Sequence, residues 1–284
     1  MNEFEFSNNT SIAANFNKMN VGLSYEALDY ESRKLELKLL EFKRLFEIKL
    51  YIPLINSIEW FKLFFGSDYN QMGISNYNIG NYQQAVIDFT KAIKLNPHNP
   101  KTYYNLGSTY VKLGNYQQAI NNDSKAIELN FIKSYDYYKV YNNRGLSHFY
   151  LGNYTKAIDD YTKAIEHNPQ YLMAFFNRGL SYFYLENYSQ AINDYTKATD
   201  LNPQYSNAFC NRGVAYLKSG NNSQAINDYT KAIELNPEDA VAYFNRGIAN
   251  AKINNKDQGI DDIKIAARYW YKPAQDYLNS HGIS

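Results

Sequence analysis

Few side chains in this sequence could carry chemistry, and most of them keep step with one another. Four histidines (His98, His148, His167, His281) and a single cysteine, Cys210, are scattered through the 284 residues. No Gly-rich loop ends in Gly-Lys, no cysteine pair exists and no His-Glu-x-x-His occurs, so phosphate cradles and zinc sites lack their residues. Cys210 would need a basic partner to become a nucleophile, and none recurs at a workable spacing. His148 stands where equivalent positions hold Tyr110, Tyr182 and Tyr216, which reads as packing. Asp160, Asp194, Asp228 and Asp262 tempt most, because paired carboxylates do acid–base work. They recur every 34 residues, in the same stretches as Arg144, Arg178, Arg212 and Arg246. A period shared with the fold reads as a structural Arg–Asp pair between helices, worth little if exposed. A phosphate-binding arginine ladder is the alternative. Helical phase weighs against it, since each arginine points about 100° away from the asparagine beside it. The expectation is a non-catalytic chain with no cofactor and no metal.

The elements that position these residues come from a repeat. One glycine marks its phase at Gly73, Gly107, Gly145, Gly179, Gly213 and Gly247, in steps of 34, 38, 34, 34 and 34. Alanines follow in register: Ala85, Ala119, Ala157, Ala191 and Ala225, then Ala92, Ala126, Ala164, Ala198, Ala232 and Ala266. Pro97, Pro169, Pro203 and Pro237 close four of the copies. Each copy holds two stretches with helical apolar spacing, such as FFNRGLSYFYLENY and YSQAINDYTKATDL, joined by a turn with Gly or Asn. Proline then stops the second helix. Small residues at fixed places let two helix backbones approach closely. One helix pair cannot bury its apolar face alone, so the copies must stack.

This pattern resembles the tetratricopeptide repeat: a 34-residue helix–turn–helix with small residues at the glycine and alanine positions, aromatics between them and a closing proline. The resemblance covers six consecutive copies at 66–99, 100–133, 138–171, 172–205, 206–239 and 240–271. It implies an all-α, right-handed α-solenoid superhelix whose first helices line a concave groove. Two places depart from the pattern. Four extra residues precede the third copy and read as one more helical turn, with a longer loop as the alternative. Asp123 stands where other copies carry Phe89, Tyr161, Tyr195 and Tyr229, so a weaker or bent stack is expected there. The last copy drifts, as a terminal repeat should, and residues 272–284 are expected to form a capping helix.

Before the repeats, residues 1–23 are polar and Asn-rich and are expected to be disordered. Residues 24–65 read as an N-terminal helical segment. In 24–50, Leu28, Leu35, Leu39, Phe42 and Phe46 form one stripe; Pro53 breaks the helix; IPLINSIEWFKLFFG then reads as a second, very apolar helix. The favoured reading is that both cover the open end of the first repeat. Attachment to a membrane surface or a partner through Trp60, Phe61, Phe64 and Phe65 is the alternative. The 29 basic and 28 acidic residues nearly cancel, so no nucleic-acid partner is expected. The lone cysteine excludes an internal disulfide and suits a reducing compartment. The first residues lack a secretory pattern, and no apolar run of about 18 residues exists. A cytoplasmic protein is the expectation.

The partner would then be a protein or peptide, and the first helices show where. Two residues before the phase glycine stand Asn105, Asn143, Asn177, Asn211 and Asn245. A carboxamide both donates and accepts, so a column of them can pair with a peptide backbone without reading its side chains. The resemblance places this arc on the concave wall, where some members of the family grip extended peptides with asparagines. Flanking positions on the same arc are apolar: Phe149, Tyr150, Phe176, Leu180, Phe183, Tyr184, Val214 and Phe244. The family's carboxylate clamp for chaperone tails needs lysine three before the glycine and asparagine just after it. Here those places hold Asn70, Tyr104, Asn142, Phe176, Cys210 and Phe244, and Ile74, Ser108, Leu146, Leu180, Val214 and Ile248. No chaperone-tail binding is expected.

Overall fold

The computed structural model describes residues 54–129 and 137–283 and, upstream of them, Leu37. Among these residues every regular element longer than one residue is an α-helix. In chain order they are α1 (Leu54–Asn78), α2 (Tyr82–Leu95), α3 (Pro100–Lys112), α4 (Tyr116–Glu128) and α5 (Tyr137–Tyr150). There follow α6 (Tyr154–His167), α7 (Leu172–Tyr184), α8 (Tyr188–Leu201), α9 (Ser206–Lys218) and α10 (Asn222–Leu235). The last are α11 (Ala240–Lys252), α12 (Lys256–Arg268) and α13 (Lys272–Ser280). They fall into two compact units, one ending at Leu151 and holding α1 to α5, the other beginning at Gly152 and holding α6 to α13. The expectations for residues 1–23 and for the stripe of 24–50 lie outside the described residues, Leu37 excepted.

Local chemistry explains the pairing. The first helix of a pair ends on a residue with left-handed backbone: Gly80, Gly114, Gly152 and Gly220, and also Glu186 and Asn254. The next residue, an asparagine, donates its N–H five residues back. Asn81 reaches the Asn76 carbonyl, Asn115 that of Tyr110, Asn187 that of Tyr182 and Asn221 that of Tyr216, at 2.8–2.9 Å. This closes the helix with a Schellman bond and reverses the chain. The same asparagine caps the second helix, where Asn187 Oδ1 accepts from the Gln190 N–H. At the far end Asn168 and Asn202 turn their side-chain oxygens onto the N–H of Gln170 and Gln204, both at 3.0 Å. The Asn-Pro-Gln string is thus a built stop.

The packing reason for the phase glycine is visible at Gly179 and Gly213. A Cβ on Gly179 would stand 2.9 Å from the Tyr195 ring, and one on Gly213 2.8 Å from that of Tyr229. Each tyrosine packs its ring against the glycine of the partner helix and is fully buried. The in-phase alanines are buried beside them, in a cluster running from Phe175 to Ala249.

The structure differs from expectation at two places. The apolar run at 54–65 is no separate helix: α1 is continuous from Leu54 to Asn78, 25 residues long, and carries the run straight into the first repeat. The extra turn expected before the third repeat is not among them: α5 begins at Tyr137, directly after residues 130–136, and its 14 described residues already exceed by one the 13 of α3, α7, α9 and α11. The remaining inserted positions fall in 130–136, outside the described residues. Finally, the slot of Asp123 is filled by a polar bridge. Its carboxylate is fully buried against Gly107 and accepts from the Asn143 amide of the next repeat.

Candidate functional site

The arginines and aspartates form a repeated clamp. Arg178 donates twice to Asp194, from Nε and Nη2, both at 2.8 Å. Arg212 does the same to Asp228 at 2.8 and 2.7 Å, and Arg246 to Asp262 at 2.9 and 2.7 Å. Both carboxylate oxygens accept, the bidentate geometry of a guanidinium–carboxylate pair. The remaining arm of each arginine reaches back to the previous repeat, Arg178 to Thr162, Arg212 to Thr196 and Thr199, Arg246 to Thr230. A ring three residues earlier lies under each guanidinium: Phe175, Phe209 and Tyr243. In the other unit Arg144 lies over Tyr141 and donates to Ser124 of the preceding repeat. One arginine therefore ties both helices of its own pair to the pair before it. Three of the five N–H donors of Arg178 and of Arg246, and four of Arg212, are committed to protein acceptors, which favours the structural pair over a phosphate ladder. Burial lifts the carboxyls of Asp194 and Asp228 above their ordinary value, against the opposing pull of Arg178 and Arg212.

One member of this set escaped the sequence reading. Asp88 stands 15 residues after Gly73, as Asp194 does after Gly179, but its repeat has no arginine. Two amides replace it: Asn76 Nδ2 donates at 2.8 Å and Gln84 Nε2 at 3.0 Å. The signal was the interval itself, which identifies Asp88 without help from a charge partner. Burial raises this carboxyl also, with the two amides pulling it back.

The asparagines are placed unequally. Asn177, Asn211 and Asn245 occupy equivalent places on α7, α9 and α11 and are all buried. Asn211 Nδ2 donates to the Asn207 carbonyl at 2.8 Å, one turn back. Asn105 donates to Asn70 Oδ1 of the preceding repeat at 3.3 Å, so side-chain amides do link successive first helices. Asn143 is committed to Asp123.

The apolar wall is more buried than its sequence implies. Phe176, Phe183, Cys210, Val214 and Leu217 belong to one contiguous core cluster. Phe176 meets the Tyr195 and Tyr205 rings at 5.8 and 5.2 Å, Phe183 meets Tyr188 at 5.3 Å, and Phe244 meets Tyr271 at 5.4 Å. Phe176 and Phe244 thereby reach the capping residues of the helices that follow their pairs, Tyr205 and Tyr271, while Phe183 packs within its own pair. Half-buried Leu180 and Ile248 pack on the cluster edge. Tyr184 is 43% exposed and stacks on Tyr154 at 5.1 Å. In the other unit Phe149 is half-buried, while Tyr150 is 40% exposed and stacks on Tyr116 at 4.7 Å. The exposed edge of the predicted arc is therefore aromatic and sits at the C-terminal ends of first helices.

Cys210 is buried, and burial pushes its thiol well above the ordinary value, so it stays protonated. No group of three or more His, Cys, Asp or Glu side chains among the described residues is disposed to hold a metal. Among the same residues no helix is long and apolar enough to cross a membrane.

Family models agree with this geometry. Models of the tetratricopeptide repeat match residues 138–171 and 206–239, 100–132, and 228–261, and a TPR repeat model matches 76–114 and 179–220. The chain is a tetratricopeptide-repeat protein. No curated protein matches it in sequence. Among solved structures, a crystal structure of MamA is 27% identical with a TM-score of 0.54, over 59% of this chain and 96% of that one. YrrB, described as a TPR protein with an unusual peptide-binding site, is 23% identical with a TM-score of 0.54, over 62% of this chain and 88% of that one. The pilF protein of Pseudomonas aeruginosa is 18% identical with a TM-score of 0.64, over 76% of this chain and 96% of that one. The last two likenesses show the fold alone. Tetratricopeptide repeats are interaction scaffolds, and the clamps, caps and glycine contacts above are the parts that hold such a scaffold rigid.

Proposed function

We propose that this tetratricopeptide-repeat protein is a non-catalytic scaffold that holds a peptide segment of a protein partner along its first helices. The observation that carries the reading is the half-buried apolar edge of Leu180 on α7 and Ile248 on α11, with the exposed Tyr184 beside it and the buried column Asn177, Asn211 and Asn245 behind it. Carboxamides can pair with the C=O and N–H groups of an extended chain, and a peptide on this edge reaches these three once their amides turn outward from the core. Specificity comes from aromatic ends such as Tyr184 and Tyr150, which offer large contact area at small entropic cost. The buried members, Phe176, Phe183, Val214 and Phe244, act by fixing the spacing of this surface. Asn105 and Asn143 serve the equivalent face of the other unit, with Asn143 held by Asp123.

Affinity capture from native lysate tests this, with the wild type beside Asn177/Asn211/Asn245→Ala and far-UV circular dichroism confirming equal helicity. The proposal expects partners on the wild type alone. Equal recovery by both proteins rules the column out. Flotation of the purified chain with liposomes, abolished by deleting 24–65, would favour instead an assembly role at a membrane surface.

A further inference from the structure

The turn from α12 to α13 presents an indole to solvent. Trp270 is 85% exposed, and Tyr269 beside it is 44% exposed. The exposure is built into the turn, which is held at several points. The Trp270 N–H reaches the Ala267 carbonyl at 3.1 Å, and the Tyr271 N–H that of Ala266 at 3.2 Å. Gln275 Nε2 donates back to the Ala267 carbonyl at 3.2 Å. The Tyr271 ring packs on that of buried Phe244 at 5.4 Å. Trp270 itself has a left-handed backbone, φ 62°, the conformation that Gly80, Gly114, Gly152 and Gly220 supply where first helices end. A bulky residue is strained there, and an outlier of this kind points to a use for the side chain.

The charge around this corner has one sign. From Ile263 to Gln275 the chain carries Lys264, Arg268 and Lys272 and no acidic residue. Arg268 and Lys272 flank the two exposed rings, are exposed themselves and enter no ion pair among the described residues. Asp262, just before this stretch, is committed to Arg246. Asp276 is the nearest uncommitted acid in the sequence, four residues beyond Lys272.

We propose that this corner docks the scaffold on an anionic phospholipid surface, with the indole and phenol entering at headgroup depth between Arg268 and Lys272. Three features select that occupant. Trp and Tyr, each with an apolar ring and a polar tip, are the aromatics that settle at a membrane–water boundary. The flanking cations complement anionic headgroups. A stable protein interface needs about 800 Å² from each partner, whereas two rings among charged and polar neighbours offer at most about 500 Å². One indole with a pair of cations gives weak, reversible, salt-sensitive attachment. This attachment is independent of the peptide reading above.

Vesicles of equal parts phosphatidylcholine and phosphatidylserine, mixed with the full chain at low salt, test it by flotation and tryptophan emission. Expected are flotation with these vesicles but not with phosphatidylcholine alone, release at high salt, and a blue shift of emission on binding. Glycine suits the left-handed backbone, so Trp270→Gly keeps the fold, with equal helicity by far-UV circular dichroism as the check. It should abolish the blue shift and lower the floated fraction several-fold. Arg268→Gln/Lys272→Gln should lower the floated fraction several-fold as well. A wild type that does not float with the anionic vesicles overturns the proposal. So does flotation or a blue shift that survives undiminished in Trp270→Gly, which would assign the contact to another part of the chain. The same blue shift with soluble polyglutamate in place of vesicles would overturn it in favour of an acidic protein.

Discussion

Replacing Asp228 by alanine tests whether the Arg–Asp clamp holds the repeats together. Exposed pairs contribute about 0–1 kcal/mol. This one is different: its side chains are 9% and 15% exposed, and both oxygens are bonded to Arg212 at 2.7–2.8 Å. Removing one partner of a buried pair costs about 3–5 kcal/mol, because the other charge stays buried and uncompensated. Arg212 keeps Thr196, Thr199 and the Phe209 ring, and keeps some water, so the expected loss is about 2–4 kcal/mol. Urea denaturation at neutral pH, followed by far-UV circular dichroism, measures it. The double replacement Arg212→Met/Asp228→Leu should recover most of the loss, since no charge is then stranded. A loss below about 0.5 kcal/mol for Asp228→Ala would place the clamp with ordinary surface pairs and refute the argument.

Other consequences are smaller or opposite in sign. The Tyr195 and Tyr229 hydroxyls are buried with no hydrogen-bond partner among the described residues, and Phe89 fills the equivalent slot, so Tyr195→Phe and Tyr229→Phe should each stabilise by about 1 kcal/mol in the same denaturation assay. Gly213→Ala drives a methyl group into the Tyr229 ring and should cost about 1–3 kcal/mol. Glu186 holds a left-handed conformation at φ 58°, so Glu186→Gly should gain about 0.5–1 kcal/mol, relieved strain outweighing added chain entropy. Asp88 has a raised carboxyl pKa through burial, so its folded form takes up a proton more readily than the unfolded chain. Its contribution is therefore fully present below the ordinary carboxylate pKa of about 3.9 and is lost as pH rises through the folded value. Titrating stability from about pH 4 to pH 7, the wild type should lose ground to Asp88→Asn, and the reverse trend would show a lowered pKa.

Much of this was legible in the residues because a repeat prints its contacts at fixed intervals. The helix pairs, the turn asparagines and the Asn-Pro stops follow from local rules that need no neighbour. The partnership of Arg178 with Asp194 followed from shared phase. Its burial did not, because the tilt of one pair on the next decides how much water reaches a clamp. The same holds for Phe176 and Phe244. Their phase predicts a wall, but contacts with Tyr205 and Tyr271, each at the start of the following element, turn the wall into a joint. Asp123 read as a defect, and became a bridge through Asn143, 20 residues away. Asp88 was missed because the search followed charge pairs, whereas its partners are the neutral amides of Asn76 and Gln84. The continuity of α1 was not legible, since Gly66 is tolerated inside a helix when α2 packs closely against it.

The central claim is that the edge of the first helices in the second unit receives an extended peptide. Fluorescence polarisation with peptides selected on the wild-type protein from a random library tests it most directly. Each selected peptide is measured against wild type and against Leu180→Glu/Ile248→Glu, with equal helicity confirmed. The account predicts a loss of at least about tenfold in affinity, 1.4 kcal/mol or more. Unchanged affinity in the double variant would contradict it.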